Sequence, residues 1–334
     1  MAEISLPRVA IVGGESLLGR EVRELIGAIK PEPTSILISG EAESSQLARG
    51  DEGDAIVLTP MSSAAFEGVN AVMLCGTAES SRRAFELTEP EGTTLIDLTG
   101  ALEDNGNARL RAPVLEPVET ERSAQHIHVI AHPAAVSLAL FYARLASRWR
   151  IQRSVVNVFE PASERGQRGL YELQTQTINL LSFKPLPKEV FDAQAGFNLL
   201  PAYGEEAPEA LEQSEARIER HLATLLLMTS QAPMPSVRLV QAPVFHGYSA
   251  SVWIEFAETP EVEDLEGALA SAHIEVRGAD VEPPTNVGIA GQSGLAAGNI
   301  RRDRNNAHAY WFWLAADNIR NAAETAVSVL KECL

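Results

Sequence analysis

Through the first third of the chain, short runs of branched apolar residues alternate with stretches in which apolar side chains recur every three or four positions. Val9, Ala10, Ile11 and Val12 predict a buried strand. Gly13, Gly14 and Gly19 follow, and then Leu18, Val22, Leu25, Ile26 and Ile29, whose offsets line one helical face. Further strands are expected over residues 35–39, 55–58, 71–75, 93–97 and 127–131, each bounded by Gly, Pro or polar residues. Strand, glycine turn and helix in this order predict an α/β, Rossmann-like domain with a mostly parallel sheet over residues 1–131.

At His132 and Pro133 the pattern changes. Helices are expected over residues 136–147, 170–181 and about 211–228. Residues 249–256 alternate cleanly, with Ala250, Val252, Ile254 and Phe256 on one side and Ser251, Trp253 and Glu255 on the other, the pattern of a half-buried strand in an antiparallel sheet. Residues 132–315 therefore read as a second, α+β domain. Tyr310, Trp311, Phe312 and Trp313 are apolar on both faces of their strand, which suits a central position or a subunit interface. Residues 319–330 form a closing helix with small residues on its packing face. Two readings of this apolar surplus stay open: pairing with a second copy, or complete cover by the helices at 170–181 and 211–228.

Composition narrows the function. With 334 residues, the chain is long enough for two domains. Lys+Arg 27 against Asp+Glu 45 leaves −18, which disfavours nucleic acid and anionic membranes as partners. No apolar run reaches the roughly 20 residues of a membrane span. Two cysteines, Cys75 and Cys333, fit a reducing cytoplasm and supply no metal framework.

The glycine turn reads Gly13-Gly14-Glu15-Ser16-Leu17-Leu18-Gly19. Backbone N–H groups at such a helix start can hold a diphosphate, although Glu15 puts a carboxylate nearby, and a turn kept only for helix packing is the plainer alternative. Glu41 stands 22 residues after Gly19, where an acidic side chain bonds the ribose of NAD and repels the 2′-phosphate of NADP; a solvated loop glutamate fits equally.

Residues 9–19, Phe66-Glu67-Gly68-Val69, residues 130–137, Phe197-Asn198-Leu199-Leu200-Pro201, residues 243–251, Gly298-Asn299-Ile300-Arg301 and Asp317-Asn318-Ile319-Arg320 occur in an order and spacing that resembles the aspartate-β-semialdehyde dehydrogenase family, and more closely its divergent Usg-type subgroup. The resemblance implies a Rossmann domain, an α+β dimerisation domain, and residues 316–334 returning to complete the first domain. It also implies a homodimer, amino-acid biosynthesis as the setting, and an NAD or NADP cofactor along Gly13, Gly14, Ser16, Leu17, Gly19, Ser39, Glu41 and Asn318. Glu41 favours NAD.

The chemistry implied by the family needs a thiolate at a helix N-terminus, a base, and cations that hold the substrate's anionic groups. The nucleophile's segment here is His132-Pro133-Ala134-Ala135-Val136-Ser137, with Ala135 in the cysteine position. Tyr248 takes the position of the family's histidine base, and Ala250 that of its glutamate. His246 would lie on the same face if the segment were extended, where it could substitute; a structural histidine is the other reading. Glu160 matches the family's glutamine, Glu103 an arginine that binds phosphate, and Glu41 an arginine that selects NADP. Arg238 corresponds to a carboxylate-binding arginine if about two residues are inserted.

Two functions follow. One is a catalytically inactive member that keeps the fold, its dimerisation and a nucleotide site, acting as a ligand-binding or partner-binding protein. The other is an active NAD(P)-dependent semialdehyde dehydrogenase working with displaced residues. Loss of nucleophile, base and phosphate anchor together favours the first.

Overall fold

The structure, a computed structural model, describes residues 6–40, 46–49, 55–88, 92–116, 126–230 and 232–334. The chain divides into two compact units, Met1–Ala131 with Ala322–Leu334, and His132–Asn321.

In the first unit β1 (Arg8–Val12), α1 (Leu17–Gly27), β2 (Thr34–Ile38), β3 (Gln46–Arg49), β4 (Ala55–Leu58), β5 (Ala71–Leu74), α2 (Ala78–Leu87), β6 (Thr94–Asp97), β7 (Ala108–Arg111) and β8 (Ile127–Ile130) follow in order. Six strands form an all-parallel sheet in the order β2-β1-β5-β6-β8-β7. A parallel sheet is buried on both faces, which explains the unbroken apolar runs. Val9, Ile11, Ala71 and Met73 pack with Val22 and Ile26 of α1 and with Ala323, Ala326, Val327 and Leu330 near the chain's end. Ala10, Val12, Val72 and Leu74 face the other way, with Phe66 and Ala84. The expected strand at 55–58 forms, but as half of an antiparallel pair with β3 outside the six-stranded sheet.

The second unit comprises α3 (Pro133–Ala146), β9 (Ile151–Glu160), α4 (Gly166–Leu181), α5 (Leu211–Thr229), β10 (Ser236–Gln241), β11 (Tyr248–Phe256), α6 (Val262–Leu269), β12 (Ile274–Arg277), β13 (Leu295–Arg302) and β14 (Ala309–Ala316). The last helix, α7 (Asn318–Cys333), begins here. The sheet is mixed, in the order β10-β9-β11-β14-β13-β12. β11 runs antiparallel to both neighbours, and its Ala250, Val252, Ile254 and Phe256 are buried. Tyr310, Phe312 and Leu314 of β14 are buried too, with Phe312 edge-on to Phe141 of α3 at 5.1 Å.

The opposite face is left more open. Val155, Trp253 and Trp311 stand in register there, with Val155 43% and Trp311 37% exposed. Residues 278–294 cover one end of it: Ile289 is buried among Ala296 and Ala315, and the Pro284 carbonyl accepts the Trp313 indole N–H. α4 forms as expected but does not cover the sheet. It packs through Leu173 against Val190, Phe191, Ala195 and Leu200, while Glu172 accepts from the backbone N–H groups of Glu189, Val190 and Phe191. The far side of this lobe leaves Ile178, Leu181 and Phe197 exposed and Phe183 98% exposed.

Candidate functional site

The glycine turn of the first unit is shaped by close approach. Gly13 has φ +74, and a Cβ there would sit 2.4 Å from Gly76 Cα; one on Gly19 would sit 2.2 Å from the Gly13 carbonyl oxygen. Only glycine fits either place. Ser16 caps α1, accepting from Gly19 N at 2.9 Å and donating to Cys75 O at 2.7 Å. Leu17 is the first residue of α1. Glu15 turns away from the helix axis toward the end of β2, where Oε1 accepts from Gly40 N at 2.9 Å and from Ser39 Oγ at 3.5 Å. Glu41 lies outside the described residues. Burial pushes the Cys75 thiol far up, so it stays protonated.

In the second unit the decisive place is the start of α3. Pro133 opens the helix, and His132 is its N-cap. His132 Nδ1 accepts from Ala134 N at 3.3 Å, so the ring proton sits on Nε2, which faces Tyr248 Oη at 3.4 Å and Glu164 Oε2 at 3.7 Å. Burial, with Arg217, His221 and Arg165 around it, holds the His132 pKa well below the usual imidazole range. Ala135 is fully buried one turn in and carries no reactive atom. Burial and the carboxylates of Glu164 and Glu160 hold the Tyr248 hydroxyl well above the usual phenol range, which makes it an ineffective base. Ala134, Ser137, Leu138, Tyr248 and Ala250 border a small apolar cavity of about 20 Å³.

Beside Glu164 lies a second set of polar groups. Glu160 is wholly buried at the end of β9, with Oε1 3.0 Å from Arg165 Nη2 and 3.2 Å from Tyr203 Oη. Desolvation is the main cause that pushes its pKa up to about 7, against the opposing pull of Arg165. Arg165 also reaches Glu209 at 2.7 Å and Ser214 at 2.8 Å, and its Nε lies 3.3 Å from Tyr203 Oη. The guanidinium is thus spent on the chain's own groups. Asn318 joins the pieces: Nδ2 donates to Glu164 at 2.7 Å and to Ser163 at 3.0 Å, and Oδ1 accepts from Gly247 N at 3.0 Å.

The other candidates fall elsewhere. Arg238 is half-exposed on β10, against Glu215 and the Pro201 carbonyl. His246 is not on the face of β11: Gly247 has φ +80, the chain bends, and the strand begins only at Tyr248. Sequence reasoning did not single out His132, Glu164, Arg165 or Tyr203. Tyr203 is 43 residues from Glu160, and no periodicity links them.

The sequence profile of the semialdehyde dehydrogenase dimerisation domain matches residues 143–321. The chain belongs to the semialdehyde dehydrogenase family. Among relatives, a USG-1 protein homolog of Pseudomonas aeruginosa is 29% identical over 332 residues, covering 98% of this chain and 97% of its own. The aspartate-semialdehyde dehydrogenase of Prochlorococcus marinus is 25% identical over 333 residues, covering 98% and 95%. The solved structure of a probable aspartate-semialdehyde dehydrogenase from Pseudomonas aeruginosa superposes with a TM-score of 0.80 at 26% identity, covering 98% of each chain. The α3 start offers no thiol: Cys75 and Cys333 belong to the other unit's residues. Among the described residues no group of three or more His, Cys, Asp or Glu is placed to hold a metal, and no helix is long and apolar enough to cross a membrane.

Proposed function

We propose that this chain is a catalytically inactive semialdehyde dehydrogenase homologue that keeps the family's fold and self-association. The observation that carries the reading is Ala135, buried at the helix start, with a neutral capping histidine and a high-pKa tyrosine as its neighbouring polar groups. Acyl transfer through a thioester has no starting bond without a thiol. Arg165 is engaged by Glu160 and Glu209 and so is not open to clamp an acyl phosphate. The activity assay is direct: protein purified from a host without its own aspartate-semialdehyde dehydrogenase is supplied with aspartate semialdehyde, phosphate and NAD or NADP. Absence of turnover is expected, and sustained turnover overturns the reading.

A dinucleotide remains part of the proposal. The turn at Gly13 and Gly19 supports it, with Ser16 and Leu17 at the helix start, and Glu41 supports NAD over NADP. The second unit supports a homodimer, since Val155, Trp311 and Phe183 leave apolar surface open on a chain whose matched profile is a dimerisation domain. A small-molecule ligand and a cytoplasmic setting belong to the same proposal.

A further inference from the structure

The buried end of β9 holds more proton acceptors than donors if Glu160 is a carboxylate. Gln241 Nε2 donates to two carbonyls, Glu160 O at 3.0 Å and Ala242 O at 2.8 Å, which turns its Oε1 toward Tyr203 Oη at 2.6 Å. An amide oxygen only accepts, so the single proton of Tyr203 is committed to it. Tyr203 therefore meets Glu160 Oε1, 3.2 Å away, with a lone pair. Glu160 Oε2 has no hydrogen-bond partner at all. One cation, Arg165, is shared between Glu160 and Glu209, and Glu164 lies close enough to raise the energy of a second charge.

We infer that Glu160 is carried in the folded chain as a neutral carboxylic acid, which donates to Tyr203, so that this cluster gains a negative charge and loosens as the pH rises through neutrality. Protonation supplies the missing donor, and it leaves Oε2 as a carbonyl oxygen, far cheaper to bury unpartnered than a carboxylate oxygen.

The groups facing it come from every surrounding element: Glu164 and Arg165 from the turn before α4, Tyr203 and Glu209 from the segment before α5, Gln241 from β10 and Tyr248 from β11, with His132 and Arg217 beyond Glu164. His132 stays neutral, and Tyr203 and Tyr248 stay protonated, so none of these three masks the carboxyl pair. A carboxyl group whose folded pKa is raised binds its proton more tightly in the folded state. Its stabilising share is present below the unfolded value of 4.5 and is lost as pH climbs through about 7.

All four tryptophans, Trp149, Trp253, Trp311 and Trp313, belong to the second unit, so their fluorescence reports its unfolding alone. Equilibrium unfolding of the full chain and of Glu160→Gln is measured from pH 5 to pH 9, together with the infrared carbonyl band of a protonated carboxylic acid. The folding constant of the variant relative to the parent should rise on the order of 10²-fold across that range, and the band should persist in the parent at pH 6 and be missing from the variant. A flat ratio, or no such band in the parent at pH 6, overturns the inference. Should Glu160→Gln fail to fold, the band of the parent decides by itself. The result does not depend on whether the protein is catalytic.

Discussion

Trp253 and Trp311 face each other across β11 and β14 and donate both indole N–H groups to one oxygen, Oδ2 of Asp303, each at 2.9 Å. Their hydrogen-bonding needs are met within one chain, while Trp311 remains partly exposed beside Val155. Such a surface presents apolar rings whose polar atoms are already hydrogen-bonded, which suits a subunit contact. Light scattering at micromolar concentration should give twice 36.0 kDa for the parent, and Trp311→Glu should shift the protein toward the monomer. A parent that stays near 36.0 kDa at all concentrations removes the dimer.

Ala135→Cys should not create a dehydrogenase. Residues that act as one catalytic unit are non-additive, and a thiol here still lacks an effective base. Because the position is fully buried, iodoacetamide should modify the new thiol slowly even though the helix start favours a thiolate. Near-family turnover from this one change would show that other residues had been misread.

Tyr248→Phe removes one buried hydroxyl from the His132 and Glu164 contacts. Loss of a hydrogen bond of this kind costs about 1 kcal/mol. Urea unfolding followed by tryptophan fluorescence should register that loss.

The two glycines of the turn should respond oppositely. Gly13→Ala meets Gly76 at 2.4 Å with φ +74 and should destabilise the first unit by about 2–4 kcal/mol. Gly14→Ala meets the Leu37 side chain at 3.3 Å and the Ile11 carbonyl at an ordinary 3.6 Å, and should be tolerated. Amide hydrogen exchange over β1 and β5 separates the outcomes.

Calorimetric titration should find NAD binding more tightly than NADP, with Glu41→Ala narrowing the gap. Unit charges about 4 Å apart cost about 1 kcal/mol in bulk water. Tighter binding of NADP by the parent would reverse the assignment of Glu41.

Much of the architecture was legible because it rests on local rules. Val9 to Val12 read as a doubly buried strand since both of its faces are covered, and Ala250 to Phe256 read as half-buried because β11 is packed on one side by helices and has an opposite face only partly covered. The helix at α4 was equally clear, but periodicity fixes a helix and not what it packs on; its partner is the segment around Phe191 rather than the sheet. His246 was drawn toward Tyr248 by spacing alone, and a single positive φ at Gly247 undid that. Glu160 looked from the sequence like an added charge. Its burial among Arg165, Tyr203 and Gln241 depends on contacts up to 81 residues apart, which a linear pattern does not carry.

α7 starts with Asn318 holding Ser163, Gly247 and Glu164, and continues into Ala323, Ala326, Val327 and Leu330, which belong to the core around Val9 and Ile11. On a ribosome, the first 131 residues emerge long before these side chains exist. The first unit waits, with one flank of its sheet uncovered, until α7 has been made. Synthesis order is therefore the reverse of completion order: the residues of the second unit are made before Ala323 to Leu330, the side chains that finish the first.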